Sequence, residues 1–392
     1  MSPDFDEIID RRGTHCSKWD AMEGHYGVSP EDGIAMWVAD MDFRPPQSVQ
    51  AKLEALVAHG VYGYFGDPSA TNAAVAWWMQ ERHGWQIEES WIRYTPGVVT
   101  GAALCIHAFS EPGDGIVVMS PVYHAFGRII RAARRVAVEC QLADRNGRYE
   151  MDFDAWDAQM TGREKVLLLC SPHNPGGRVW TAEELRGVAD FCARHDLVLV
   201  SDEIHQDIVF PGQRFLATDL AAPEARERLV VLGATSKTFN LAGHHTGHAI
   251  IPDDKLRQAY SAAMAGLGIS GNAFGMHMIE AAYSPEGADW VDALVDYLDG
   301  NRRLIDAGLN GLPGVRSMPL EATYLAWADF SGTGMGHEEL LRRVEKQARI
   351  AVNHGPTFGK GGESFLRFNF ATPRARVEEA VARLQTAFSD LQ

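Results

Sequence analysis

The chain has 392 residues, 46% hydrophobic and 22% charged, a globular composition that fills two or three cores and excludes both a small disulfide-stapled module and a long disordered tract. Its 36 Lys plus Arg against 52 Asp plus Glu give a formal charge of −16, a field that repels phosphate backbones and makes nucleic acid a poor partner. The opening MSPDFDEIIDRRGTHCSKWD resembles neither a secretory signal nor a basic presequence, no run reaches the ~20 apolar residues of a membrane span, and five scattered cysteines read as reduced thiols, so a cytoplasmic protein with no membrane partner is expected.

In chain order, PQSVQAKLEALVAH (46–59) carries apolar residues at helical spacing and stops at Gly60, which predicts a helix closed by a glycine cap. Residues 68–83 predict a second helix, and PGVVTGAALCIHAFS a third that begins on a glycine-containing turn. From Gly113 onward, short β-rich runs alternate with helices: GIVVMS, VAVEC, KVLLLCSP, LVLVSDEIH, LVVLGAT and TGHAIIP. Between KVLLLCSP and LVLVSDEIH, TAEELRGVADFCARHD sets Thr181 and Glu184 at capping-box spacing, which makes a β-α-β unit. Runs without polar alternation suit strands covered on both faces, so residues 46–283 predict one large α/β domain with a mostly parallel sheet. After Pro285 come a long helix, TYLAWADF, the helix HEELLRRVEKQAR, the short strand IAVNHG, SFLRFNFAT and a helix over about 374–390. These predict a smaller α/β domain built from 284–392 and completed by residues 1–45.

Polar residues gather just past the strand-like runs, where open sheets place ligands. Lys237 follows LVVLG among Thr235, Ser236 and Thr238; an amine there forms a Schiff base if its surroundings lower its pKa, or simply snorkels from a loop, and the motif alone leaves both open. Asp202 closes the apolar LVLVS, where an unpaired carboxylate is costly; it suits a cationic ring nitrogen, a helix cap or an arginine. Glu203, next along, is expected to face the other way in a structural role. Asn174 in CSPHNPGG can donate from its amide at the end of a neighbouring strand. In YTPGVVTGA the turn aims the backbone N–H groups of Val98 and Val99 at a phosphate, with none of the repeated glycines of a dinucleotide fingerprint. Tyr123 in SPVYHAF stacks on a planar ring or fills a core, and Arg367 among the phenylalanines of SFLRFNFAT wants a carboxylate fork, from a substrate or from a structural acid such as Glu345. A metal site at His244, His245 and His248 is not expected, because no carboxylate or cysteine accompanies them.

Together TPGVV, PVYHAF, SPHNPGG, SDEIHQD, SKTFNLAG and LRFNFATP, spanning 95–373, resemble the fold type I pyridoxal-phosphate enzymes of the aspartate aminotransferase superfamily. WVADMDF at 37–43 and YGYF at 62–65 extend the resemblance over nearly the whole chain and point to the cystathionine β-lyase, or carbon–sulfur lyase, branch of MalY and PatB. The resemblance implies a seven-stranded, mostly parallel sheet in the large domain. It implies pyridoxal 5'-phosphate on Lys237, with Asp202 at the pyridinium nitrogen, Asn174 and His205 at O3′ and Tyr123 stacked on the ring. Val98, Val99, Thr235 and Ser236 would hold the phosphate, joined by Tyr64 from the other subunit of a homodimer. Arg367 would bind the α-carboxylate of a small amino-acid substrate, and Asp40 and Asp42 would organise the segment leading into the site. Where aminotransferases carry a phosphate-binding arginine this chain has His245, of undefined role. The implied reaction is β-elimination from a cysteine thioether such as L-cystathionine to a thiol, pyruvate and ammonia; transamination uses the same early residues and is the alternative.

Overall fold

The computed structural model describes residues 3–391. Its framework is a seven-stranded sheet in the order Ile92–Thr95, Gly247–Ile250, Leu229–Gly233, Val198–Asp202, Glu164–Cys170, Gly115–Val118, Val136–Glu139. Only Gly247–Ile250 runs against its neighbours. The uninterrupted apolar runs have the expected cause. Within one strand Val166 and Leu168 enter the core that includes Ala102 and Cys105 of the helix Val98–Phe109, while Leu167 and Leu169 enter the core that includes Leu185 and Val188 of the helix Ala182–Arg194. Each face is apolar because each is covered.

Local signals set the helix ends. Gln47–His59 stops at Gly60, whose φ of 74° is left-handed. At Ala182–Arg194 the Thr181 hydroxyl accepts from the Glu184 N–H at 3.2 Å and the Glu184 carboxylate accepts from the Thr181 N–H at 2.8 Å, closing the capping box.

A four-stranded antiparallel sheet, in the order Arg316–Ser317, Leu325–Asp329, Phe365–Asn369, Asn353–His354, packs with the helices Pro285–Asn310 and Arg374–Ala387. Ile34–Ala35 pairs in parallel with Ile350–Ala351 in a separate two-stranded sheet, and Asn369 donates to the carbonyls of Met36 and Val38, which ties the N-terminal segment to the four-stranded sheet. Three details depart from the sequence reading. The run IAVNHG divides between two sheets, Ile350–Ala351 pairing with Ile34–Ala35 and Asn353–His354 joining Phe365–Asn369. The helix begun at His337–Leu341 widens into a π-helix over Arg342–Gln347. Ile92–Thr95 and the helix His124–Ala132 were not anticipated: the strand is four residues long with Arg93 inside it, and it lies at the sheet edge, where periodicity is weakest. Among the described residues no helix is long and apolar enough to cross a membrane.

Candidate active site

Adjacent parallel strands end side by side, so three turns deliver polar side chains to one place. Cys170 is in register with Asp202, and Asp202 with Leu232. Hence Asn174, Asp202 and Lys237 issue from neighbouring strands into a cavity of about 390 Å³. Tyr123, His205, Ser236, Val98 and Val99 line the same cavity.

Asp202 is almost fully buried, yet its carboxylate receives one hydrogen bond, from the Ile204 N–H at 3.2 Å, and no ion pair. Burial pushes its pKa up to about 7, only partly opposed by Lys237. Glu203 faces the opposite side as expected, accepting from the Ser201 hydroxyl at 2.9 Å and from Thr218 N–H and Oγ1 at 2.9 and 2.6 Å. Lys237 lies in the short helix Thr235–Thr238, and its Nζ donates to the Ala39 carbonyl at 2.5 Å. Burial pushes the amine down to about 8, against the upward pull of Asp40.

Arg367 is buried in the strand Phe365–Asn369. Its Nη1 donates to Asn174 Oδ1 at 2.9 Å, its Nη2 donates to the Trp37 carbonyl at 3.0 Å and to Asn353 Oδ1, and Nε has no partner. No acid meets it. Glu345 pairs with His354 at 2.5 Å instead, which removes the structural pairing that the sequence left open. Burial lowers the guanidinium pKa to about 10. His205 is also buried; burial, helped by Lys237 and Arg367, holds its pKa well below the ordinary value, so the ring is neutral, and its Nδ1 has no partner.

Gly97 takes φ 86°, a conformation suited to glycine, and starts the helix Val98–Phe109. The N–H groups of Val98 and Val99 lie in the first turn, where the helix itself supplies no acceptor. Thr235 stands behind the cavity with Oγ1 2.8 Å from His244 Nε2 and is not part of the lining. His245, left-handed at φ 46°, lines it. Among the described residues no cluster of metal-ligating side chains occurs. Tyr64 is fully exposed, beside exposed Val61 and Tyr62, and does not touch this cavity of its own chain.

Sequence reasoning missed two parts of the site. Arg128, in the helix that follows Tyr123, lines the cavity; its spacing of four from His124 was the available signal. The second is the set of partners, Lys18, Arg11, Trp19 and Asn240, in the framework that holds the Ala39 carbonyl over Lys237; Asp42 itself was expected to organise this segment. Asp42 accepts from Lys18 Nζ at 2.9 Å, Arg11 Nη1 at 2.9 Å and Trp19 Nε1 at 3.0 Å. The amide of Asn240, three residues past Lys237, accepts from the Met41 N–H at 2.9 Å and donates to the carbonyls of Met41 and Phe43 at 2.9 and 2.8 Å.

The model of the family described as aminotransferase class I and II matches residues 34–384. This chain belongs to that family. Cystathionine beta-lyase PatB of Bacillus subtilis is 37% identical over 98% of this chain and all of its own, and Protein MalY of Escherichia coli 32% identical over 98% of both. The crystal structure of cystalysin from Treponema denticola, which contains a pyridoxal 5'-phosphate cofactor, superposes with a TM-score of 0.94 at 33% identity over the whole of both chains. The fold is thus that of the fold type I members of the family, as the resemblance implied.

The residues present fit such a cofactor. Asp202 is a buried acid without an ion pair, His205 Nδ1 a buried ring atom without a partner, and the Val98 turn a helix start whose first N–H groups have no acceptor within the helix. A pyridinium ring with a phosphate arm answers all three.

Proposed function

We propose that this chain is a pyridoxal-phosphate-dependent carbon–sulfur lyase that cleaves L-cystathionine or a related cysteine thioether to a thiol, pyruvate and ammonia. The observation that carries the reading is a partly buried amine, Lys237, that shares a cavity with a buried acid without a counter-ion, Asp202, in a chain related over its full length to a cystathionine β-lyase.

Pyridoxal phosphate supplies an aldehyde that condenses with amines and a cationic ring that draws electrons from the substrate Cα. Asp202 would keep the proton on the ring nitrogen, and Asn174 and neutral His205 would serve the ring oxygen. Tyr123 would stack on the ring. The N–H groups of Val98 and Val99 and the Ser236 hydroxyl would hold the phosphate. Thr235 acts from behind, through His244, by fixing the turn that carries Ser236 and Lys237. Arg367 has donors in excess of its partners and binds the substrate α-carboxylate, with Asn174 and Asn353 fixing its plane. Lys237 takes the α-proton on Nζ. An amine with a pKa of about 8 is unprotonated in roughly a tenth of molecules at pH 7, against fewer than about one in a thousand for an ordinary lysine. The thiolate then leaves from Cβ, and water hydrolyses the released three-carbon enamine to pyruvate and ammonia.

The working unit is a homodimer in the cytoplasm, with Tyr64 of the partner subunit completing the phosphate site. The exposed apolar stretch Val61, Tyr62 and Tyr64 supports this, being costly to leave in water. Residues 46–283 form the cofactor-binding domain and 1–45 with 284–392 the smaller one, an organisation supported by the pairing of Ile34–Ala35 with Ile350–Ala351.

Transamination needs the same acid, amine and arginine, and the relation to PatB favours elimination. The purified holoenzyme is expected to form pyruvate and homocysteine from L-cystathionine. With an amino donor lacking a β-leaving group plus a keto acid, it is expected to transfer the amino group slowly at most. Efficient multiple-turnover transamination without thiol release would overturn the lyase assignment.

A further inference from the structure

Arg128 is a cation in the cavity for which the reaction described above has no use. It sits in the helix His124–Ala132 and makes no hydrogen bond or ion pair with any described residue, although the chain holds an excess of acids. Arg131 and Arg134 nearby are unpaired too, but neither lines the cavity. The position relative to Arg367 is what matters. The Arg367 guanidinium lies 5.0 Å from the centre of the Phe358 ring, and the His124 ring meets Phe358 edge-on at 5.5 Å. Arg128 follows His124 by one helical turn, about 5–6 Å between β-carbons. Arg367, Phe358, His124 and Arg128 thus form a wall that runs from the buried Arg367 and Phe358 to His124 and Arg128 at the exposed side of the cavity, with a guanidinium at each end.

The geometry points to Arg128 as the residue that receives the distal carboxylate of the substrate. With the α-carboxylate on Arg367, a thioether that carries a second carboxylate beyond sulfur spans this wall. An S-alkyl cysteine reaches Arg367 alone. The inference rests on the lyase reading and narrows its substrate class to thioethers with an acidic far end. A guanidinium and a carboxylate form a directed, charge-assisted pair, and Phe358 and the neutral His124 ring between the two cations put no competing charge along the apolar linker.

The test compares Arg128→Gln and Arg128→Lys holoenzyme with wild type, using Arg131→Gln as the control. The expected result for Arg128→Gln is a roughly tenfold loss of kcat/KM on L-cystathionine, carried mainly by KM, with S-methyl-L-cysteine changed by less than about twofold and partial recovery in Arg128→Lys. Binding is read separately from the absorbance of the holoenzyme titrated with two amino acids that have no sulfur to lose, 2,7-diaminosuberate and L-norleucine. Only the first should weaken in Arg128→Gln. Equal losses on both thioethers, no loss on either, or weaker cofactor retention in Arg128→Gln would each overturn the assignment. If wild type binds diaminosuberate through Arg128 but releases pyruvate from neither thioether, the lyase reading fails and the subsite stands.

Discussion

Asp42, in the N-terminal segment, and Asp202, at the end of a central strand, are both removed from water, with exposures of 1% and 3%. Asp42 is surrounded by Lys18, Arg11 and the Trp19 N–H, and these hold its pKa down at about 2 although burial pushes the other way. Asp202 has one backbone N–H, and burial raises its pKa to about 7. The same chemical group is finished in one place and unfinished in the other. A buried acid supplied with its own cations is part of the structure, as is Glu203, which has none but is held by Ser201 and Thr218 away from the cavity; Asp202 has neither and opens onto the cavity, where a cation from outside the chain can meet it. Lys18, with no exposed surface, and Arg367, without an acid, repeat the contrast among the bases.

The largest effect should come from the amine beside the unfinished acid. Lys237→Ala is expected to lower pyruvate release by roughly a thousandfold or more. Borohydride reduction followed by peptide mass spectrometry should place the pyridoxyl mass on Lys237 in the wild type; a label on another lysine would break the assignment.

Next comes a direct comparison of the two acids. Asp42→Asn leaves Lys18 and Arg11 facing a neutral group in a buried site and should destabilise the protein by about 3–5 kcal/mol in urea unfolding. Asp202→Asn should lower turnover with cofactor saturating, yet stabilise the cofactor-free protein at pH 8. The folded state holds a proton on Asp202 up to about pH 7, whereas the unfolded acid releases it near its ordinary value of 3.8. Wild-type stability therefore falls relative to the Asn variant as pH rises from about 4 to about 7, by an amount on the order of a few kcal/mol. Equal responses of the two variants at pH 8 would erase the distinction.

Arg367→Lys keeps charge and loses the planar fork, and kcat/KM for an amino-acid substrate should drop by roughly tenfold or more. Unchanged kinetics would make Arg367 a structural residue. The smallest effect is expected for Tyr64→Phe, a severalfold loss of cofactor affinity measured by equilibrium dialysis, with folding of each protomer intact because the side chain has no contact to lose within its own chain.

The unfinished groups were the legible ones. Asp202, Asn174 and Lys237 each follow an apolar run, and a polar residue at such a place stands out because burial there needs a reason. The lack of polar alternation within those runs also identified a sheet covered on both faces. The direction of Gly247–Ile250 was not legible, since TGHAIIP has the same pattern whichever way it pairs. Lys18 and Asp42 lie 24 residues apart with nothing in either motif to link them. Arg128 was hidden for another reason: a surface-like arginine gains meaning only from the wall it ends, and that wall joins residues more than 200 positions apart. The resemblance paired Thr235 with Ser236 at the phosphate; the helical turn they share puts Ser236 and Lys237 on the cavity and Thr235 against His244.

The framework above Lys237 also bears on the order in which the protein assembles during synthesis. The bonds from Asn240 to Met41 bridge 199 residues, a stretch the ribosome needs roughly 10–40 s to translate. The contacts of Asp42 with Arg11, Lys18 and Trp19 span no more than 31 residues and are available almost at once. The N-terminal piece can therefore emerge with its charges already neutralised among themselves and wait as a prefabricated part. The Lys237 amine is covered only when the turn that carries it with Asn240 arrives to meet that part.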